Sequence, residues 1–275
     1  MTVGPPAPGA RQPPKIDTTV PHSARIWNYW RGGKDNYAVD RAAGDEYAKV
    51  FPQIVDVARH ARHFLARVVR YLAGEAGIRQ FLDIGTGLPT VDNTHEVAQR
   101  VAPECKIVYV DNDPLVLAHA RALLTSTPEG ACDYVDADLR EPDTILRAAA
   151  RTLDLTQPLA IILMGVLAHL SDDTEVAAIV ARLTGALPPG GFLAIGDSVI
   201  GDRADVGEIH TEAARDYAET GAVPYRLRTR GQIAGFFAGL DLVEPGLVPI
   251  AQWRPDPSPF TPPDLPTIGA VGRKP

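Results

Sequence analysis

The sequence predicts an α/β fold, a doubly wound and mostly parallel sheet, and three stretches carry that expectation. The first is Phe81-Leu82-Asp83-Ile84-Gly85-Thr86-Gly87-Leu88-Pro89-Thr90, a short apolar run that breaks into a glycine turn. Asn93 then opens a helix with Glu96 three residues on, the spacing of a capping box. The second is Lys106-Ile107-Val108-Tyr109-Val110-Asp111, another apolar run, ending in carboxylates. The third is Pro158-Leu159-Ala160-Ile161-Ile162-Leu163-Met164, a continuous apolar run of the kind that forms a central strand covered on both faces. Strand, glycine turn and helix frame the crevice in which doubly wound sheets bind nucleotides.

The remaining elements follow in order. Residues 1–20 are rich in Pro and Gly and bury little, so a mobile tail is expected, with a single domain over 21–275. Ser23 caps a helix through Ala24 to Trp30, which Gly32-Gly33 stops. It carries Trp27, Tyr29 and Trp30, interleaved with Arg25, Arg31 and Lys34, and has two readings: an aromatic helix packed on the domain, or a lid within a segment spanning 21–53. Ile54 to Leu72 has helical apolar spacing and ends near Gly74. His60 and His63 lie one turn apart there; a pair on an arginine-rich helix reads as solvated surface, and no metal is assigned.

Gly77 to Ile84 is the first strand, followed by a helix from Thr94 to Val101. Pro114 starts a helix through Leu123. Ala131 to Val135 is the third strand, and Pro158 to Met164 the fourth. Ser171, Asp172 and Asp173 cap a helix bearing Val176, Ile179, Val180 and Leu183. Pro188-Pro189-Gly190-Gly191 turns into a fifth strand, Phe192 to Ile195, ending at Gly196-Asp197-Ser198. Helices near Val206–Glu219 and Thr229–Phe237 precede two late strands, Leu247–Trp253 and Pro266–Val271, joined by a Pro-rich loop.

Composition narrows the function classes. The 27 Lys and Arg against 34 Asp and Glu give a formal charge of −7, which argues against a nucleic-acid surface, since that needs a basic face. Two cysteines without metal or redox spacing suggest a reducing compartment. No apolar run has the length of a membrane span, and the N-terminus has no signal-peptide core, so a cytoplasmic protein is expected.

The ligand is constrained by its surroundings. A dinucleotide fingerprint would place a third glycine at position 90, where the pyrophosphate meets the helix; Thr stands there, with Pro89 and Asp92 beside it. An acid in the first turn already uses the positive end of the helix and repels phosphate. A nucleoside without phosphates is therefore the better fit. Asp111 lies twenty-odd residues past the glycines, about where an acid accepts from both ribose hydroxyls.

Asp83 to Thr90, His95-Glu96-Val97-Ala98-Gln99 and Tyr109 to Pro114 resemble the S-adenosylmethionine-dependent class I methyltransferases. More narrowly they resemble an actinobacterial subgroup known as a domain of unknown function. The resemblance extends to Pro21–Trp30 with Gly32–Asn36, to Asp136–Arg140 and to Gly272–Pro275, covering the chain from about Val20.

The resemblance implies a seven-stranded Rossmann-like sheet with an antiparallel C-terminal strand, S-adenosyl-L-methionine as cofactor, and methyl transfer to an acceptor expected to be a small molecule. Asp83, Gly85, Thr86 and Gly87 are expected to bind the cofactor, Gly85 and Gly87 approaching its methionine and sugar parts through backbone atoms. It implies Asp138 and Leu139 at the adenine, while Asp111 is expected at the ribose from its strand-end position, with Asn112 also cofactor-binding, and Met164 at the crevice from sheet topology. If the N-terminal segment is a lid, its contacts are expected at Arg25, Tyr29 and Lys34. His169, after the fourth strand, is a candidate general base for a hydroxyl acceptor. A nicotinamide-dependent oxidoreductase is disfavoured by Thr90; a module that binds S-adenosylmethionine or S-adenosylhomocysteine without transfer remains as the alternative.

Overall fold

A computed structural model describes residues 16–123, 125–200 and 204–275. Its centre is a parallel core of β1 (Gln80–Ile84), β2 (Lys106–Asp111), β3 (Ala131–Asp136), β4 (Ala160–Met164) and β5 (Phe192–Ser198). Antiparallel β8 (Thr267–Arg273) follows β5 along its whole length. The short β6 (Asp241–Leu242) and β7 (Val248–Pro249) pair with opposite ends of β8, on the side away from β5. The order is β3-β2-β1-β4-β5-β8-β6, with β7 completing the last edge. Eight strands thus occupy a sheet seven positions wide, because the final edge is made of two short pieces.

Strand order reverses between β1 and β4, and the crevice outside the carboxyl ends at that point is where ligands bind in open α/β sheets. β1 and β4 are apolar throughout except at Gln80 and Asp83, as strands covered on both faces must be. One face is covered by α3 (Ile54–Gly74) and α4 (Thr94–Val101), which contribute Phe64, Val68, Leu72 and Val97 to its core. The other packs α6 (Pro142–Ala149), α7 (Asp173–Ala186) and α9 (Arg230–Gly235) against Ile161, Leu163 and Ile195. α5 (Pro114–Leu123) links β2 to β3.

A third layer comes from the ends of the chain order. α1 (Ser23–Trp30), α2 (Ala38–Val50) and α8 (Ala204–Glu219) share a core built from Ile26, Trp30, Tyr47, Phe51, Ala213 and Tyr217. Trp30, Tyr47 and Tyr217 meet edge-on or tilted at centroid distances of 5.4 and 5.5 Å, the geometry aromatic quadrupoles favour. α1 is therefore a packed helix in this layer.

Three expectations change here. Residues 1–15 of the predicted tail lie outside the described residues, but 16–20 are tied down: Ile16 packs on Leu88, Leu115 and Val116, and Arg25 donates to the carbonyls of Asp17 and Val20. The predicted strand Leu247–Trp253 shrinks to Val248–Pro249 and then becomes a 3-10 turn over Ile250–Gln252. Pro249 has no amide to donate, and Arg67 takes the carbonyls of Ile250 and Trp253 at 2.6 and 2.9 Å, groups that a ladder would use. Helices α2 and α6 were not predicted. Among the described residues, no helix is long and apolar enough to cross a membrane.

Candidate functional site

A cavity of about 250 Å³ opens at the carboxyl ends of β1, β2, β4 and β5, under α1. It brings together Asp83, Gly85, Thr86, Gly87, Asp111, Asn112, Asp138, Leu139, Met164 and His169 from the sequence reading. Three residues expected there are elsewhere: Arg25, Tyr29 and Lys34.

The two glycines serve different ends. Gly85 has φ +74°, and a Cβ there would come 2.4 Å from the Val166 side chain, so close packing of β1 on the loop after β4 demands glycine. Gly87 has φ +63°, and a Cβ there would meet nothing within 4 Å. The backbone at Gly87 is thus bare toward open space in the cavity wall. Its amide donates to Asp111 Oδ2 at 2.8 Å, while the Asp113 amide donates to Oδ1 at 2.9 Å. Burial pushes the Asp111 carboxyl above its ordinary range, and these two amides oppose the rise. The glycine turn and the end of β2 therefore lock one carboxylate in place, with lone pairs left for two hydroxyls.

Around it the wall is closed by local bonds. Asp83 accepts from Thr94 Oγ1 at 2.6 Å, and burial raises its pKa to about 6. Thr86 Oγ1 shares a hydrogen bond with the Tyr134 hydroxyl at 2.8 Å. Asp138 accepts the Arg140 amide at 2.8 Å and the Asn112 side chain at 3.4 Å. Leu139 is buried beside it. The Asn93 capping box forms as predicted, with Glu96 accepting the Asn93 amide at 2.8 Å.

The N-terminal helix reaches the cavity by its other face. Arg25 is 3 % exposed and pairs with fully buried Asp40 at 3.1 Å, Tyr29 donates to Asp45 at 2.7 Å, and Lys34 is exposed. His22, Trp27 and Arg31 line the cavity instead. Residues 25 and 29 share one side of a helix and 27 and 31 another, so assigning faces to the sequence would have separated them. Arg31 lies over the Trp27 ring at 5.2 Å and donates to the Ala58 carbonyl at 3.3 Å. Burial, and then the charge of Arg62, lowers its pKa to about 9. Among the described residues no carboxylate forms an ion pair with it. His22 Nδ1 sits 2.9 Å from Asp113 and 3.4 Å from the Ala24 amide. One nitrogen cannot both donate and accept, and the shorter contact marks it as a donor to Asp113.

At the β4 and β5 end, His169 ends a 3-10 turn, Leu167–His169, with its ring 4.8 Å from that of Tyr225. Its Nδ1 is buried without a hydrogen-bond partner. Burial, reinforced by His22, lowers its pKa to about 4, so the ring is neutral at pH 7 and a weak base. Tyr225 bonds to Trp27 Nε1, fixing α1 over this end. Asp197, on β5, which the sequence marks only as a strand terminus, lines the cavity and is 3 % exposed. Its Oδ1 accepts the Ser198 amide at 2.8 Å, and its Oδ2 is buried without a partner. Burial raises its pKa to about 7, against the opposing Ser198 amide, the Arg228 charge and a weaker contribution from the Ala168 amide.

His60 and His63 meet edge-on at 5.8 Å, and the described residues contain no group of three or more side chains able to hold a metal.

The geometry can be set beside known proteins. A family model described as S-adenosyl methyltransferase matches residues 9–275. A DUF574-family protein of Streptomyces avermitilis is 45% identical, with a TM-score of 0.89 over 95% of this chain and 100% of that one. A putative methyltransferase of Thermobifida fusca is 41% identical, with a TM-score of 0.86 over 97% and 99% of the two chains. A carboxy-S-adenosyl-L-methionine synthase of Trichlorobacter lovleyi is 26% identical over 136 residues, 49% of this chain and 51% of that protein. The chain thus spans about half the length of that curated relative.

Proposed function

The chain belongs to the S-adenosyl methyltransferase family, and from that premise we propose that it transfers a methyl group from S-adenosylmethionine to a small-molecule acceptor in the cavity under α1. When bound, the cofactor supplies a methyl group already activated by a sulfonium. The chain's own task is then to hold and align the reactants, which alone can lower a barrier by about 7–11 kcal/mol.

The single observation that supports this reading most is the Gly87–Asp111 pair. A bare backbone next to open cavity and a carboxylate held by two amides form a cradle for a ribose that a Cβ at position 87 would fill. Asp111 would take the ribose hydroxyls, and Asp138 with Leu139 the adenine. Arg31, which pairs with no carboxylate among the described residues, would take the cofactor's carboxylate, with Trp27 beneath it. This moves the lid's base from Arg25 or Lys34 to Arg31 and makes α1 a fixed roof, since its other face is core. A roof of this kind excludes water from the transfer. The cavity is compact and its walls are partly apolar, which suits a small acceptor.

Calorimetric titration with S-adenosylmethionine and S-adenosylhomocysteine tests the reading. Saturable binding at one site per chain, weakened when Asp111 is replaced by Ala, is expected; no heat from either ligand would overturn it.

A further inference from the structure

We propose that Asp197 forms the acceptor subsite and that the acceptor is an amine, its N–H donated to Oδ2 of Asp197. The inference rests on the cofactor reading above, because it assigns the part of the cavity which that reading leaves to the second reactant.

The other acids on the cavity wall, Asp83, Asp111 and Asp138, leave no fully buried oxygen without a hydrogen bond. Asp111 has two amides, Asp83 has Thr94, and Asp138 has the Arg140 amide. Asp197 alone among them leaves a buried carboxylate oxygen unmatched, although it is 3 % exposed. A buried acceptor without a hydrogen bond costs free energy in the folded protein, and a donor brought by a ligand relieves that cost. Arg228, the charge that acts on Asp197, directs its own hydrogen bonds to Asp173 and to the carbonyls of Leu167 and Leu170. No cation thus neutralises this end by direct contact among the described residues. The adjacent wall is His169, with Val166, Leu170 and Trp27. Its apolar and aromatic surfaces fit the carbon skeleton of an organic amine and favour a cationic head.

The charge sign selects amine over hydroxyl. Bound as an ammonium, the acceptor first releases one proton to solvent; when the neutral nitrogen then attacks, an N–C bond forms, the methyl–sulfur bond breaks, and its electron pair stays on sulfur, which becomes neutral. Positive charge appears on nitrogen, and a fixed carboxylate beside it stabilises that charge as it develops. The proton then passes from nitrogen to Oδ2. A hydroxyl acceptor works best as an oxyanion, which the same carboxylate would repel. His169 Nδ1, also buried and unmatched, gives the acceptor a second polar point and sets the direction in which it lies.

Benzylamine and benzyl alcohol, matched in shape, are the probes. Each is titrated into the protein saturated with S-adenosylhomocysteine and followed by Trp fluorescence. Benzylamine should bind about tenfold or more tighter than the alcohol, because its ammonium is a charged donor to the carboxylate whereas the hydroxyl is a neutral one. Asp197→Asn should abolish the preference. Parallel incubation with S-adenosylmethionine should give S-adenosylhomocysteine formation that depends on benzylamine and not on the alcohol. Equal binding of the two probes, binding of neither, or a preference that survives in D197N overturns the inference while leaving the cofactor reading intact. Failure of S-adenosylhomocysteine to bind at all overturns both. The comparison of probes in the unmutated protein decides the matter even if D197N does not fold.

Discussion

Two carboxylates stand at strand ends on opposite sides of one cavity, and they are built differently. Asp111, at the end of β2, is gripped by the amides of Gly87 and Asp113. Asp197, near the end of β5, has one oxygen bonded to the next residue's amide, and the other makes no hydrogen bond of ordinary geometry, the Ala168 amide acting on the carboxyl only weakly. Burial raises the pKa of both. The difference is that the first site is complete before any ligand arrives, and the second is completed by one. A preformed cradle suits the reactant common to the whole family; an incomplete pocket suits the reactant that distinguishes one member from another.

The largest effect should come from closing the cradle. Gly87→Val places a branched side chain in space the ligand needs, at a φ that such residues rarely adopt. The backbone strain of about 1–3 kcal/mol is within what a domain tolerates, so circular dichroism should still show the fold. S-adenosylmethionine affinity should fall about 100-fold or more by calorimetry. Near-normal binding would place the ligand away from the β1–β2 edge. Asp111→Ala comes next. Loss of hydrogen bonds to a charged group should cost about 1.5–3 kcal/mol, or about 10–150-fold in affinity. An unchanged Kd with intact fold would mean that the carboxylate only braces the glycine turn.

Arg31 offers a sharper and smaller test, because its supposed partner can be removed from the ligand instead. Arg31→Ala should weaken S-adenosylmethionine about tenfold, one charge-assisted bond near a partly screened surface. Affinity for 5′-methylthioadenosine, which has no carboxylate, should not change. An equal loss for both ligands would show that Arg31 supports Trp27 and α1 and does not meet the ligand.

The same contrast explains what was legible in the sequence. The β1–β2 edge is made by residues close together in the chain, Gly85 to Glu96 and Asp111 to Pro114. Local rules of turns, caps and strand ends were enough to find it. The β4–β5 edge draws Trp27, His169, Asp197 and Tyr225 from four separate elements, and no spacing records that meeting. Within α1 the signal lies in the helix faces: residues 25 and 29 share one side and 27 and 31 the other, and only the second side meets the cavity. α6 also announced itself, with Pro142 at its first turn and Ile145, Leu146 and Ala149 on one side. α2 did not, because Tyr37 is an unusual cap and the helix is opened by the Tyr37 amide donating to Asp40 Oδ2 at 2.8 Å. The late strand failed for a long-range reason, since Arg67 on α3 reaches its carbonyls from far away in sequence.

The smallest expected effect concerns stability and tests the two carboxylates directly. Asp197 has a folded pKa of about 7, well above the value near 4 of an unfolded aspartate. Between those values the native state holds a proton that the unfolded chain has released, so stability falls as pH rises from about 4 to about 7 and stays low above. An asparagine cannot ionise and escapes that loss. Asp197→Asn without ligand should therefore match or trail the parent protein near pH 4 and exceed it at pH 8. The gain should be on the order of 1–3 kcal/mol, about 2–4 °C in Tm per kcal/mol, by scanning calorimetry. Asp111→Asn should do the reverse at pH 8, because an amide group must present a donor to the Gly87 or Asp113 N–H that its carboxylate now accepts. Shifts of the same sign in both variants would mean that the two acids are equivalent buried charges. The distinction between a finished cradle and an open subsite would then fail.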